Sequence, residues 1–566
     1  MFLSTLDWGI VIGFLALTLF VGFWVSKRAS KDSSSYFLGG RNMPWWLLGT
    51  SMVATTFAAD TPNLVTDIVR SQGVSGNWVW WCMLLTGMLT TFVYARLWRR
   101  LGVTTDIEFY ERRYSGRSAE YLRGFRAVYL GVFFNVMIMA TVTLAAIKIG
   151  SVLFNMSPLM MVLAAGGVTV LFSALGGFLG VLVTDMILFV TAMIGSGLAA
   201  YYSLSHPAVG GIDGLMSNPE VASKLSMLPD FREPSHWVPL FLIPLAVQWW
   251  ASWYPGAEPG GGGYIAQRML AAKDENHAVA ASAFFNIAHY ALRPWPWILV
   301  ALASIIVYPD LASIKAALPH VPDSVMGEDL AYSAMLLFLP AGVLGLVVAS
   351  LVSAYISTIS THLNWGASYA VNDFYNRFIN TNATDKQQVM VGRVMTVLLM
   401  VAASLMALVL ESALQAFQLL LSIGAGTGLL FILRWFWTRI NVWSEISAMV
   451  LSFAFSLFIQ FGPYANLVTW EKFVASVILT TIGWVAVTLM TSPTDKAQLD
   501  AFNKAIKGQE GEIKTGLYAT LACTAAIYGF LFTTGNFIFG DYMTAGVLAA
   551  ITIVCGFTTM KLVKSE

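Results

Sequence analysis

The sequence predicts an all-α polytopic membrane protein, and three observations lead to this fold class. Charged residues make up 11% of the 566 residues, whereas soluble domains carry about 25%. Hydrophobic residues make up 57% of the chain. They cluster in runs of about 20 residues that are apolar on every face, which is the length of a membrane-spanning helix. The composition therefore excludes an ordinary soluble enzyme and an extended disordered chain.

About fifteen apolar runs are long enough to span the hydrocarbon core, which needs about 20 residues. Their approximate limits are 7–26, 45–70, 76–98, 125–153, 158–180, 182–204, 237–257, 278–308, 341–373, 388–410, 413–437, 441–461, 470–491, 515–535 and 542–561. Basic residues concentrate in the odd-numbered loops between these runs, beginning with Lys27 and Arg28. Since basic loops stay in the cytoplasm, we expect the N-terminus outside and the C-terminus inside, in the plasma (inner) membrane.

The loops between the predicted spans are short, which limits the chemistry that the chain can perform outside the bilayer. The longest are residues 205–236 on the predicted outer side and 99–124 and 492–514 on the inner side. None is long enough for a catalytic domain, so we expect no enzyme. The net charge of +1 favours no nucleic acid. The expected partners are the lipid bilayer and a transported small molecule.

The second predicted span carries polar residues at mid-membrane depth. Pro62 has no N–H, and it leaves the carbonyl of Ala58 without its helical donor. Asp60 lies about 15 residues after the start of the span, where a charged side chain needs compensation. Discontinuous helices of this kind bind ions and solutes in transporters. The alternative is a proline kink in which Asp60 bonds to a neighbouring helix.

The ninth predicted span carries hydroxyl groups on one face. Ser353, Ser357, Ser360 and Thr361 are spaced i, i+4, i+7 and i+8, which places them on the same side of a helix. Together with carbonyls freed in the second span, they would form an all-oxygen site suited to a hard monovalent cation. The alternative is close helix packing through small residues, with the hydroxyls bonded across helices.

A glycine-rich stretch, Pro255–Gly263, follows the seventh predicted span. We expect no regular helix over a stretch of this composition. Two interpretations stay open: a flexible turn at the inner membrane surface, or a hinge where the backbone approaches the solute path. In the eighth span, His289 and Arg293 are one helical turn apart, and we expect them to form a structural hydrogen-bonded pair.

Four short motifs occur in order along the chain. They are the YFLGGR stretch at Tyr36–Arg41, Gly176-Gly177-Phe178 followed by Thr184-Asp185, the QRMLAAK stretch at Gln267–Lys273, and Asn372-Asp373-Phe374-Tyr375. In sequence, order and spacing they resemble the motifs of the sodium:solute symporter family, which includes transporters of proline, sialic acid and glucose.

The resemblance implies a LeuT-type core of ten helices in two inverted five-helix repeats. The corresponding segments are a peripheral N-terminal helix and cytoplasmic loop (1–44), the first repeat (45–204), an extracellular loop (205–236), the second repeat (237–437) and peripheral C-terminal helices (438–566).

The resemblance also implies a sodium site between the first and eighth core helices. Its ligands would be the backbone carbonyls of Ala54, Phe57 and Ala354 and the hydroxyls of Ser357 and Thr358. Asp60 and Thr61 match a polar pair that contacts the solute in sugar-transporting members, and Thr56 lies one turn earlier. Trp253 and Tyr254 stand where those members carry aromatic and amide residues, a departure from the family pattern, and complete the expected solute site. Asp185 matches an acidic residue on the sodium exit path.

We therefore expect a sodium-coupled secondary active symporter that imports a small polar organic solute, such as a sugar or an amino acid, by alternating access. Sodium would be the co-transported ion. A proton-coupled symporter or a sodium-independent exchanger on the same fold is the second hypothesis, with Asp60 as the proton carrier. A transporter-like sensor is the third.

Overall fold

The computed structural model describes residues 3–29, 37–56, 58–254, 256–410 and 412–564. Within these ranges the backbone forms helices and two isolated bridges, and no β-strand. Eleven helices of the described segments are long and apolar enough to cross a membrane. The protein is therefore an all-helical, multi-pass membrane protein, as the composition predicts.

The principal helices are labelled α1 to α17 in chain order. They are α1 (Thr5–Ala29), α2 (Trp45–Thr56), α3 (Asp60–Gln72), α4 (Val74–Leu101), α5 (Arg117–Leu153), α6 (Pro158–Leu204), α7 (234–251), α8 (Gly263–Ala271), α9 (Glu275–Val307), α10 (Val343–Ile379), α11 (Asp385–Ala407), α12 (Ala413–Ile423), α13 (Gly428–Leu433), α14 (Val442–Phe461), α15 (Thr469–Met490), α16 (Glu512–Ile538) and α17 (Tyr542–Lys564). Shorter helices lie in the connecting loops, including Gly211–Ser217, Leu330–Leu336 and Lys496–Ile506.

In the described structure, four of the fifteen predicted spans do not form a separate, uninterrupted helix. The spans 45–70 and 237–257 are interrupted, and 413–437 is divided between α12 and α13. The span 158–180 shares α6 with the following span. The 47 residues of α6 would measure about 70 Å if straight, which is more than twice the hydrocarbon core. Eleven spans are thus supported by length and composition, and the total of fifteen stays a prediction.

The first interruption separates α2 from α3 in the predicted second span. The helix ends at Thr56 and resumes at Asp60, and the described residues between them, Ala58 and Ala59, are not helical. Pro62 is the third residue of α3, where a missing N–H removes no helical hydrogen bond. The proline therefore lies in the first turn of a new helix and does not bend a continuous one.

The second interruption separates α7 from α8 at residues 252–262. Gly256, Gly260, Gly261 and Gly263 have φ values between 56° and 88°, a region that side chains disfavour. A Cβ atom on Gly256 would also overlap the Tyr264 hydroxyl. Every described residue from 256 to 263 is buried. The stretch is therefore a buried break between α7 and α8 rather than a turn at the membrane surface.

The remaining helices enclose these two breaks. α2 packs on α9, α6 packs on α10, and α1 lies across both α6 and α10. The Asp7 carboxylate of α1 accepts N–H groups of Gly342 and Gly345, at 2.7 Å each, at the start of α10. The pairs α14–α15 and α16–α17 pack as helical hairpins at the periphery. The two breaks thus lie among closely packed helices.

The predicted orientation can be tested by cysteine labelling. We expect Ser217→Cys, in an exposed loop helix, to react with a membrane-impermeant maleimide in intact cells. Asn503→Cys, exposed in the helix Lys496–Ile506, should react only after permeabilisation, because basic loops stay inside. Cys82 and Cys523 are buried, and Cys555→Ser lowers the background further. The opposite labelling pattern would show that the protein has the reverse of the predicted orientation.

Candidate functional site

The carbonyl groups at the end of α2 are held by side chains from two other helices. The last carbonyls of a helix have no intrahelical donor. The buried guanidinium of Arg293, on α9, donates to the carbonyl oxygens of Val53 at 3.0 Å and Thr56 at 2.8 Å. The Thr358 hydroxyl, on α10, donates to the Thr55 carbonyl at 2.6 Å. Ala54, a predicted cation ligand, lies in the same turn.

Opposite charges compensate the two helix ends at this break. The C-terminal end of α2 carries partial negative charge, which the Arg293 guanidinium offsets. Asp60 is the first residue of α3, whose N-terminal end carries partial positive charge. Asp60 and Arg293 also attract each other across the break. Arg293 contacts His289, as the sequence predicts, and its hydrogen bonds to α2 make it a support for the break.

Asp185 joins α6 to both α2 and α10. Its carboxylate accepts the hydroxyl of Ser51 at 2.5 Å and the hydroxyl of Ser357 at 2.6 Å. The Arg268 guanidinium, on α8, donates to Ser51 at 3.1 Å and to Thr361 at 2.8 Å. Four helices therefore meet in one buried cluster of hydroxyl and carboxylate oxygens.

The structure brings most of the predicted cation ligands to the contact between α2 and α10. Ala354, Ser357 and Thr358 occupy consecutive turns of α10 and are buried. The hydrogen bond from Thr358 to Thr55 places them against the turn of α2 that contains Ala54. Phe57 lies outside the described residues. Carbonyl and hydroxyl oxygens at a broken helix are a ligand set that sodium accepts in transporters.

A central cavity of about 100 Å³ lies beside this contact. The cavity is lined by Thr55, Thr56, Ala58, Asp60, Thr61, Leu64, Val65, Trp80, Ile138, Val142, Tyr254, Tyr264, His289, Thr358, His362 and Phe417. Four of the five predicted solute-binding residues, Thr56, Asp60, Thr61 and Tyr254, are therefore brought together in one cavity.

The fifth predicted residue, Trp253, faces another part of the protein. Its buried ring packs edge-on against Phe134, with ring centroids 4.9 Å apart. It lines a smaller cavity together with Asp106, Glu258 and Arg434. The backbone at 252–254 is not helical, so the side chains of Trp253 and Tyr254 do not follow the spacing of a helix face. Neighbours in the sequence thus belong to different cavities.

Several cavity residues were not predicted from the sequence. The Tyr264 hydroxyl lies 3.2 Å from the Thr56 hydroxyl, and it links α8 to the end of α2. His362 lies on α10, with its Nδ1 atom 2.6 Å from the Asn135 side-chain oxygen. Trp80 and Phe417 add two aromatic rings. Tyr264 directly follows the glycine-rich stretch, which was a usable signal. The other three stand in helices without a distinguishing pattern.

The chain matches known transporter sequences over most of its length. The description of the sodium:solute symporter family matches residues 36–451. A sodium/glucose cotransporter from Vibrio parahaemolyticus is 27% identical over 482 residues, which cover 81% of this chain and 86% of the relative. Sodium/myo-inositol cotransporter 2 from Mus musculus is 25% identical over 485 residues, covering 80% of this chain and 69% of the relative.

A solved structure shares the fold. The substrate-bound, outward-open structure of a Na⁺-coupled sialic acid symporter aligns with a TM-score of 0.69 at 19% sequence identity. The alignment covers 88% of this chain and all of that one. That symporter has a LeuT-like fold, so the likeness confirms the predicted fold class, whereas the ten-helix core of two inverted repeats stays a prediction. The limits of the two repeats stay a prediction.

Arg293→Lys should destabilise the break at the end of α2. Lysine keeps the charge, but its single ammonium group lacks the planar fork that reaches two carbonyls. A hydrogen bond to a charged group contributes about 1.5–3 kcal/mol. We expect a lower unfolding temperature for the variant in detergent. Arg439→Lys is the control, because Arg439 is near the surface and donates to the Leu489 carbonyl. Equal losses in both variants would contradict the role of Arg293.

Proposed function

The chain belongs to the sodium:solute symporter family, and we propose that it imports a small polar organic solute together with sodium by alternating access. The family and the relatives are transporters, not enzymes. The observation that carries the proposal is the contact between the broken helix and α10. There the Thr358 hydroxyl meets the Thr55 carbonyl, directly beside the cavity that contains Asp60.

The proposed sodium ligands are the carbonyl oxygens of Ala54, Phe57 and Ala354 and the hydroxyl oxygens of Ser357 and Thr358. Both hydroxyls donate their hydrogen to other oxygens, on Asp185 and Thr55. Their lone pairs are therefore free to face a cation. The Asp185 carboxylate beside Ser357 supplies negative charge close to the ion. We propose that Asp185 also receives sodium on its way out.

The composition of the central cavity favours a neutral, hydroxyl-rich solute such as a sugar or a polyol. Trp80, Tyr254, Tyr264 and Phe417 offer aromatic faces, and Asp60 and the threonines offer oxygen atoms for hydroxyl groups. No lysine or arginine is among the described residues that line the cavity. The N-terminus of α3, which could attract a solute carboxylate, already carries Asp60. An amino acid solute fits this arrangement less well.

In the proposed cycle, sodium holds α2 against α10 and so orders the cavity wall formed by Thr55 and Thr56. Solute then favours closure of the outer side, and the cavity opens inward. Coupling requires that neither ligand alone permits efficient exchange between the two states. The membrane potential adds about 2.3 kcal/mol per positive charge for each 100 mV. Transport proceeds from outside to inside in the plasma (inner) membrane, with the C-terminus in the cytoplasm.

A proton-coupled mechanism is the second candidate, because Asp60 is an ionisable group inside the cavity. Sodium-independent uptake that increases with external acidity would favour it over sodium coupling.

A thermal-shift screen tests the function first. We expect sugars or polyols to raise the unfolding temperature of the detergent-purified protein in sodium but not in choline, because a ligand that binds only the folded state stabilises it. Amino acids and carboxylates should give smaller shifts. Stabilisation of equal size in both salts would contradict sodium coupling. In Asp60→Asn the solute shift should be lost and the shift caused by sodium alone retained.

Ser357→Ala and Thr358→Ala test the sodium site. Each removes one proposed ligand, and we expect at least a tenfold weaker apparent sodium affinity, which corresponds to about 1.4 kcal/mol. Sodium titration of the unfolding temperature measures the affinity without a solute. Ser353→Ala is the matched control on the same helix, since that hydroxyl donates to the Ala349 carbonyl of its own helix. Unchanged sodium affinity in both variants would remove these residues from the site.

A further inference from the structure

The second break holds a buried carboxyl group that the proposed sodium site and the central cavity do not use. Glu258 lies in the non-helical segment between α7 and α8, and its side chain is 2% exposed. Helix α4 donates two hydrogen bonds to the backbone of this segment. The Thr90 hydroxyl donates to the Glu258 carbonyl at 3.4 Å, and the Trp98 indole donates to the Gly260 carbonyl at 2.8 Å. Glu258 therefore cannot easily turn toward water.

One oxygen of the Glu258 carboxyl group has no hydrogen-bond partner in the part of the chain that the structure describes. Oε2 accepts the N–H of Gly256 at 3.0 Å. Oε1 has no hydrogen-bond partner among the described residues. A Cβ atom on Gly263 would collide with Oε1. The carboxyl group lines the same small cavity as Trp253. The free oxygen is thus buried and adjoins an enclosed space.

Two other charged groups line this cavity, Asp106 and Arg434, and the Nε of Arg434 has no hydrogen-bond partner among the described residues. The Asp106 carboxylate accepts the Gly263 N–H at 2.9 Å, at the N-terminus of α8, and the Tyr369 hydroxyl. Arg434 lies 3.4 Å from Glu445 and stacks on the Phe109 ring. Tyr110 lines the same cavity, and the hydroxyls of Tyr254 and Tyr264 in the central cavity are close enough to interact electrostatically with Glu258. None of these groups is a cation committed to Glu258.

A buried carboxylate with one hydrogen bond and no counter-ion is strongly disfavoured, and such a group becomes neutral by taking up a proton. We propose that Glu258 is a proton-binding site, separate from the sodium site, that gains and loses one proton during the transport cycle. The proton adds to Oε1 and converts the carboxylate to a carboxylic acid. It is exchanged with water on the side of the membrane where residues 102–116 lie, since Asp106 and Tyr110 of that loop line the cavity.

The same residues connect this site to the central cavity. Gly256, whose N–H binds Glu258, lies against the Tyr264 hydroxyl. That hydroxyl is 3.2 Å from the Thr56 hydroxyl at the end of α2. A charge on Glu258 would pull on the Gly256 N–H and so change the position of Tyr264 in the cavity wall. This link to transport rests on the proposed function, whereas the existence of the proton does not.

Infrared difference spectroscopy tests the proposal without any solute. The full-length purified protein is titrated from acid to alkaline pH in choline buffer. A protonated carboxylic acid has a C=O stretch distinct from those of a carboxylate and an amide. We expect the wild type to show this band at neutral pH and to lose it at alkaline pH. Glu258→Gln, which keeps the acceptor for Gly256 and mimics the neutral acid, should lack the band.

Asp106→Asn is the matched control, because Asp106 lines the same cavity and both of its oxygens have partners. It should retain the Glu258 band. Identical bands in the wild type and Glu258→Gln would overturn the proposal, as would a band lost in Asp106→Asn instead. Disappearance of the band on adding sodium at constant pH would also overturn it, in favour of a cation site. None of these results affects the test of sodium-dependent solute binding.

Glu258→Asp is a second variant that tests the proposal if Glu258→Gln does not fold. It keeps the acid but shortens the side chain, so the band should return at a shifted frequency. If Glu258→Asp elutes as a single species and shows no acid band at any pH, the proton does not reside at this position.

Discussion

The backbone groups freed at the end of α2 must find partners inside the membrane, and the rest of the site depends on how they do so. In lipid, no water is present to donate a hydrogen bond to an unpaired carbonyl. Each unpaired carbonyl therefore destabilises the fold by several kcal/mol. Arg293 and Thr358 supply the partners for Val53, Thr55 and Thr56. These contacts draw α9 and α10 against the break. A short interruption in one helix thereby determines where the cavity and the oxygen-rich contact form.

The two breaks are stabilised by different interactions. At the first, side chains from other helices bind the free carbonyls, and charged residues offset both helix ends. At the second, the longer segment uses glycines in the left-handed region and hydrogen bonds from α4. Corresponding interruptions in the two halves of a transporter mark the binding site. In this protein Tyr264 connects the two breaks. It directly follows the second break, and its hydroxyl contacts the Thr56 hydroxyl at the first break.

Ionic and polar groups are divided between separate regions. Asp185 and the hydroxyls of Ser51 and Ser357 form an oxygen cluster between α2, α6 and α10. Asp60 stands in the central cavity among aromatic rings, and Glu258 stands in a third region with Asp106. Each carboxyl group therefore has a different surrounding. The proposed roles in sodium coupling, solute selection and protonation can be tested by separate substitutions, because among the described residues no hydrogen bond joins two of these carboxyl groups directly.

The sequence by itself determined the fold class, the existence of a break near Pro62 and the hydroxyl face of α10. Composition, proline chemistry and helical periodicity are local properties, and they do not depend on which helices become neighbours. The motifs also pointed to Asp185 and to the residues at 54–61. Only the tertiary structure decided that Arg293 supports the broken helix, that Trp253 and Tyr254 face different cavities, and that Tyr264 and His362 line the site. These assignments depend on contacts between helices far apart in the chain, and no local pattern encodes which side chain reaches a carbonyl more than 200 residues away.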